Sequence, residues 1–263
     1  MITIRTLQEK KIKKEKIVSL TAYDYTTAKA LDESGIDMIL VGDSLGMVVY
    51  GYDSTVKVTM DDMKRHTVAV VNGVSNALVI SDMPFTSYHI SIEDSIINAR
   101  DLVRSGARGV KVEGATPFII DVIKRMNEAG ILVVGHLGFT PQQVNRLGGN
   151  IIQGRDKKIA DKIKADSILL QSAGVELLVL EMVPEILAKE ITDSLSIPTI
   201  GIGAGRYCDG QILVSHDLLG LYTNFKPKFV KRYSNMYANI KKSVKKYSKE
   251  VKSLIFPSEE NIY

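Results

Sequence analysis

The sequence predicts an α/β fold, a single closed (β/α)8 TIM barrel with a helical extension at its C-terminal end. Three observations carry that expectation. Eight short apolar runs punctuate the chain, each three to six residues long. Amphipathic stretches separate them, and four of these stretches end in glycine. The length of 263 residues suits a fold that needs roughly 250. An open doubly wound sheet is the alternative arrangement of the same elements.

The runs begin near Ile17 (IVSL), Asp37 (DMILV), Leu78 (LVI), Gly109 (GVKV), Ile131 (ILVV), Val175 (VELLVL), Ile197 (IPTIGI) and Gln211 (QILV). Runs this short and this apolar fit parallel strands covered on both faces better than helices. The intervening stretches close at Ser34-Gly35, Ser105-Gly106, Ala129-Gly130 and Ala173-Gly174. Glycine is the usual residue just past a helix, because it has no Cβ to oppose positive φ. Two connections are long, Gly42 to Thr59 and Gly135 to Arg155, and long loops after barrel strands are commonly functional. Gly201 to Gly205 (GIGAG) is a weak match to a dinucleotide loop, since Arg206 stands where the pattern needs glycine. It reads as a tight turn after the seventh strand. No Pro/Ser-rich linker or fixed-period repeat divides the chain, so residues 1–263 are expected to form one barrel domain.

Composition narrows the class. Hydrophobic residues make up 45% and charged residues 24%, which excludes disorder and disulfide-stapled miniproteins. Cys208 is the single cysteine, so no internal disulfide is expected. No apolar run approaches the ~18 residues of a membrane span. The first residues, MITIRTLQEKKIKKEK, lack an apolar signal core, and a cytoplasmic location is expected. The net charge of +4 is unevenly placed. Lys226 to Lys252 holds ten Lys/Arg and one acid, and the rest of the chain is net negative. Residues 226–263 therefore read as a basic amphipathic helix and tail. Tyr233, Tyr237, Ile240, Val244, Tyr247, Val251 and Leu254 recur at spacings of four and three, one apolar face of a helix. A basic helix with tyrosines could touch nucleic acid or membrane. The regular stripe favours docking on the barrel or on a second subunit, so neither nucleic acid nor membrane is expected as a partner.

Ionisable residues recur where the runs end: Tyr23-Asp24-Tyr25 within TAYDY, Asp43-Ser44, Asp82, Lys111 and Glu113, His136, Glu181, and His216-Asp217. The C-terminal ends of barrel strands converge on the face that carries active sites. Asp43, Asp82 and Glu113 are an oxygen-only set, which favours a hard cation such as Mg²⁺ over Zn²⁺. Lys111 and Glu113 are two residues apart, so a strand would point both the same way. Lys111 could hold a substrate carboxylate or enolate, or simply pair with an acid. Glu181 ends an apolar strand, where desolvation would raise its pKa into the range of a general base. The alternative for Glu181 is capping the following helix. His136 could donate a proton, bind substrate or be a satisfied core histidine.

These segments together resemble ketopantoate hydroxymethyltransferase: TAYDY at 21–25, VGDSLGMVVYGYDST at 41–55, GVKVEG at 109–114, GHLGFTPQ at 135–142, LVLEMVP at 178–184, IGIGAG at 200–205 and DGQILV at 209–214. The resemblance spans about Thr3 to Pro257. It implies a phosphoenolpyruvate/pyruvate-type barrel that transfers the one-carbon unit of 5,10-methylenetetrahydrofolate to 3-methyl-2-oxobutanoate, giving 2-dehydropantoate for pantothenate and coenzyme A synthesis. It implies Mg²⁺ held by Asp43, Asp82 and Glu113, and substrate bound by Asp43, Ser44, Asp82 and Lys111. Glu181 is the implied proton acceptor, and His136 is implied in the active site. It also implies a homo-oligomer, up to a decamer. Departures lie at Phe139, at Arg206 to Cys208 and at Ser258 to Tyr263, none at an implied catalytic position. A C–C lyase or mutase of the same barrel type is the competing enzyme reading. Such lyases carry a reactive cysteine in a Lys-Lys-Cys-Gly-His loop, which this chain lacks. A non-catalytic metabolite-binding barrel is the third reading, and the strand-end acids and lysine argue against it.

Overall fold

A computed structural model describes residues 1–149 and 151–263. Two compact units make up the chain, Met1–Val214 and Ser215–Tyr263.

In the first unit the eight expected strands all form. They are β1 (Ile17–Thr21), β2 (Met38–Val41), β3 (Leu78–Asp82), β4 (Gly109–Glu113), β5 (Leu132–Gly138), β6 (Leu177–Glu181), β7 (Thr199–Ile202) and β8 (Gly210–Leu213). All neighbours are parallel, and β8 pairs with β1 to close the barrel. Closure decides between the two arrangements left open by the sequence. The helices are α1 (Ile4–Lys13), α2 (Tyr25–Glu33), α3 (Leu45–Val48), α4 (Met60–Asn72), α5 (Ile92–Arg104), α6 (Pro117–Glu128), α7 (Val144–Leu147), α8 (Lys157–Ala173) and α9 (Glu185–Ser194).

Local chemistry starts and stops these helices. Side chains of Asp24, Thr59, Ser91, Thr116 and Asp156 accept backbone N–H groups at the starts of α2, α4, α5, α6 and α8, satisfying donors that have no partner within the helix. Gly35, Gly106, Gly130 and Gly174 all take positive φ, as expected for glycine past a helix end.

Strand alternation builds two apolar layers. Ile17, Met38, Leu40, Leu78, Ile80, Val134, Leu177, Val179, Ile200 and Ile212 pack together inside the barrel, with Leu7 of α1 added to them. Ile39, Val41, Val79, Val110, Val112, Val133, Leu178 and Leu180 face the surrounding helices instead. The strand ends above the inner layer are polar, and that step positions the site.

The second unit contains α10 (Ser215–Leu218) and α11 (Met236–Lys252). His216 and Asp217 belong to α10. The Asn235 side chain caps α11 by accepting the Ala238 N–H. The helix is shorter than the stripe: Tyr233 precedes it, and Leu254 follows it with φ of 56°. All seven stripe residues are exposed in the single chain, from 40% at Val251 to 90% at Leu254.

Candidate active site

The inner layer continues upward with period two. Leu78 and Ile80 lead to Asp82; Gly109 leads to Lys111 and Glu113; Val134 leads to His136; Leu177 and Val179 lead to Glu181. Strand register then sets the partners side by side. Asp82 lies opposite Lys111, Glu113 opposite His136, and Gly138 opposite Glu181. Asp43 and Ser44 join from the turn between β2 and α3.

Lys111 sits among the acids. Its Nζ is 3.1 Å from Asp82 Oδ1, 3.7 Å from Glu113 Oε1 and 3.2 Å from His136 Nδ1. His136 bridges the group, with Nδ1 3.3 Å from Glu113 Oε1 and Nε2 3.3 Å from Glu181 Oε2. The Asp43 N–H donates to Asp82 Oδ2 at 3.0 Å. Asp43, Asp82, Lys111, Glu113 and His136 are all buried. Glu181 is less enclosed than its apolar strand predicts, with its side chain 15% exposed. The last residue of β6 already opens onto the barrel mouth.

Crowding explains the electrostatics. Burial, with the negative charges of Asp82 and Glu113, pushes the Asp43 carboxyl well above the usual range. Burial raises Asp82 too, although Lys111 pulls the other way. Glu113 ends below its ordinary value, because His136 and Lys111 outweigh the cost of burial. Burial disfavours a charged Lys111, but Asp82, Glu113 and Asp43 hold its ammonium above the ordinary lysine range. His136 is also raised. Burial and Lys111 oppose its charge, and the Glu113 and Glu181 carboxylates overcome them.

Tyr23, at the end of the first run, and two residues that the sequence did not single out, Gln142 and Tyr88, complete the site. The hydroxyls of Tyr23 and Ser44 share a hydrogen bond of 2.8 Å. Gln142 donates from Nε2 to Asp43 Oδ2 and to the Met83 carbonyl, both at 2.9 Å. Tyr88 donates its hydroxyl to Gln142 Oε1 at 2.8 Å. Burial and the Glu113 charge push the Tyr88 phenol up, keeping it a donor. Tyr23 and Gln142 lie inside the quoted TAYDY and GHLGFTPQ segments, a positional signal without a role attached. Tyr88 carries no such signal. Gly138 serves the same end of the barrel. It has φ of 96°, and a Cβ there would stand 2.2 Å from the Glu181 carbonyl oxygen, so glycine lets β5 and β6 close around His136 and Glu181.

Among the described residues no three His, Cys, Asp or Glu side chains converge as a ready metal cage. A magnesium ion does not require one. It commonly takes one or two carboxylates and completes its shell with water or substrate oxygens. Asp82 Oδ1 and Glu113 Oε1 are buried without an aligned hydrogen bond, and three acids share one lysine. That donor set fits a hard divalent cation.

The fold defines the class first. Phosphonopyruvate hydrolase matches with a TM-score of 0.63 at 12% identity, over 99% of this chain and 93% of that one. A 2,3-dimethylmalate lyase, a PEP mutase/isocitrate lyase superfamily member, matches with 0.65 at 14%, over 95% and 89%. Likeness at that identity shows a shared barrel fold and nothing further. Sequence then narrows the class. The family profile described as ketopantoate hydroxymethyltransferase matches residues 1–259. Proteins named 3-methyl-2-oxobutanoate hydroxymethyltransferase are similar over nearly the whole length. Those of Clostridium botulinum (strain Langeland / NCTC 10281 / Type F) and Thermoanaerobacter sp. (strain X514) are each 53% identical, over 99% of this chain and 95% and 96% of theirs. That of Caldicellulosiruptor saccharolyticus is 51% identical, over 100% and 99%. This chain belongs to the ketopantoate hydroxymethyltransferase family, and it is an enzyme, a transferase.

Proposed function

We propose that the enzyme moves a hydroxymethyl group from 5,10-methylenetetrahydrofolate to 3-methyl-2-oxobutanoate with Mg²⁺, giving 2-dehydropantoate. The observation that carries this reading is the buried cluster of Asp43, Asp82 and Glu113 around Lys111, beside the His136–Glu181 pair. Asp43, Asp82 and Glu113 would hold the cation directly or through water. When bound, Mg²⁺ supplies Lewis-acid polarisation of the substrate's keto group.

The chain's own residues do the rest. Lys111, kept charged by its neighbours, offers a fixed positive charge to the substrate's carboxylate and keto oxygens. Ser44 offers a hydroxyl to the same substrate, oriented by Tyr23. Glu181 takes the proton from C3 and leaves its electron pair on the carbon. His136, between Glu113 and Glu181, holds the base in place. The C3 carbanion equivalent then bonds to the folate methylene carbon, the two carbon–nitrogen bonds of that methylene break, water supplies the hydroxyl, and the proton taken from C3 and the remaining water proton go to the two folate nitrogens. Tetrahydrofolate leaves as the second product. The same reading expects small molecules as the only substrates, and a cytoplasmic homo-oligomer.

Product analysis with both substrates and Mg²⁺ tests the reaction. Exchange of the C3 hydrogen without folate tests the base. Glu181→Gln keeps the shape and removes the basicity, so exchange should fall ~10²–10⁴-fold. Substrate and Mg²⁺ binding should survive, because they rest on Asp43, Asp82, Glu113, Ser44 and Lys111. Exchange at the wild-type rate would remove Glu181 from that role.

A further inference from the structure

We propose that Gln142, locked by Tyr88, is a positioning residue that sets the Asp43 and Glu113 carboxylates for a divalent cation. This rests on reading those acids as a metal set. Both residues are buried, Gln142 at 4% exposure and Tyr88 at 0%, and every polar atom of the pair in the network has a defined direction. The Glu113 backbone N–H donates to the Tyr88 oxygen at 3.1 Å. The Tyr88 hydrogen is therefore free to go to Gln142 Oε1 at 2.8 Å. With the amide oxygen taken, Nε2 faces Asp43 Oδ2 and the Met83 carbonyl, and spends one hydrogen on each. The Gln142 backbone N–H closes the circuit on Glu113 Oε2 at 3.2 Å. A flipped amide would set oxygen against the Asp43 carboxylate and the Met83 carbonyl, and nitrogen against a donor, leaving four groups unsatisfied.

The circuit ties together two acids from well-separated points of the chain, Asp43 after β2 and Glu113 at the end of β4. One oxygen of each is engaged, Asp43 Oδ2 and Glu113 Oε2. Asp43 Oδ1 and Glu113 Oε1 stay outside the clamp. Neutral donors suit this task. A lysine at position 142 would orient the same oxygens and also cancel the negative charge a cation needs. Partners that orient ligands in this way typically change metal affinity about 10–100-fold when lost.

The test measures Mn²⁺ binding to the substrate-free full chain by electron paramagnetic resonance. The variants are Tyr88→Phe, Gln142→Met and the double variant, each checked for folding by thermal unfolding. Each single change should weaken Mn²⁺ about 10–100-fold. The double variant should lose less than the two single losses combined, because Tyr88 orients the Gln142 amide as well as accepting the Glu113 N–H. Tyr88→Phe removes one oxygen from a ring that stays packed, so it decides the matter if Gln142→Met fails to fold. Affinity unchanged in Tyr88→Phe, or effects that add in the double variant, would overturn the positioning role and leave the metal reading standing. A wild-type chain that binds no Mn²⁺ would overturn both.

Discussion

Lys111 shows what one residue contributes. Lysine is almost never fully buried without a partner, and here it is 4% exposed beside Asp82. The acids need it as much as it needs them. Lys111→Met keeps much of the volume and removes the cation from among three buried carboxyls. We expect a loss of about 3–5 kcal/mol of stability near pH 8, read by denaturant unfolding, together with weaker substrate binding. An unchanged unfolding midpoint would show that the acids carry no net negative charge in the folded state. Lys111 and Glu113 were legible in the sequence because two residues of a strand share a face. Gln142 was not, since its meaning lies in Tyr88, 54 positions away.

At the scale of elements, helices and strands are joined by single buried groups. Asp32 of α2 accepts backbone N–H groups from Ser75, Asn76 and Ala77 at 3.0, 3.0 and 2.7 Å, just before β3. Burial alone would raise its carboxyl, yet those hydrogen bonds, led by Ala77, hold it below the ordinary value. Asp32→Asn should cost about 1.5–3 kcal/mol at pH 7. The sign with pH follows from the direction of the shift. A depressed folded pKa gives stability that is full above the unfolded value of about 3.9, and it is lost as pH falls through the lower folded one. Unfolding of both proteins at neutral and strongly acidic pH should show the gap closing in acid. A constant gap would assign the loss to shape instead of charge. Element existence was readable, and extents less so. ILVV predicted β5 as a short apolar run, whereas the strand runs through His136 to Gly138. A polar residue at the end of a barrel strand breaks the apolar pattern without breaking the backbone ladder.

For the whole molecule, the exposed face of α11 is the feature left to account for. Val244 and Tyr247 are 59% and 55% exposed, and a regular apolar stripe left in water usually marks an interaction surface. The proposed homo-oligomer would cover it. We expect sedimentation at a multiple of the 29.0 kDa chain mass, and a smaller species for the paired change Val244→Glu and Tyr247→Glu. A wild-type chain that sediments as a monomer would remove the stripe from any subunit contact. Among the described residues no helix is long and apolar enough to cross a membrane.

The sequence by itself determined the number and order of the strands, the glycine stops of α2, α5, α6 and α8, and which ionisable residues stand at strand ends. Each of these is a local matter of side-chain period, backbone freedom and apolar content, so neighbours in the chain suffice to read it. The tertiary structure alone decided that the sheet closes, that His136 spans Glu113 and Glu181, that Glu181 stays partly open, and that Gln142 and Tyr88 clamp two acids. Those facts depend on register between strands and on hydrogen-bond direction across tens of residues. No local pattern encodes them, because the partners become neighbours only when the barrel is complete.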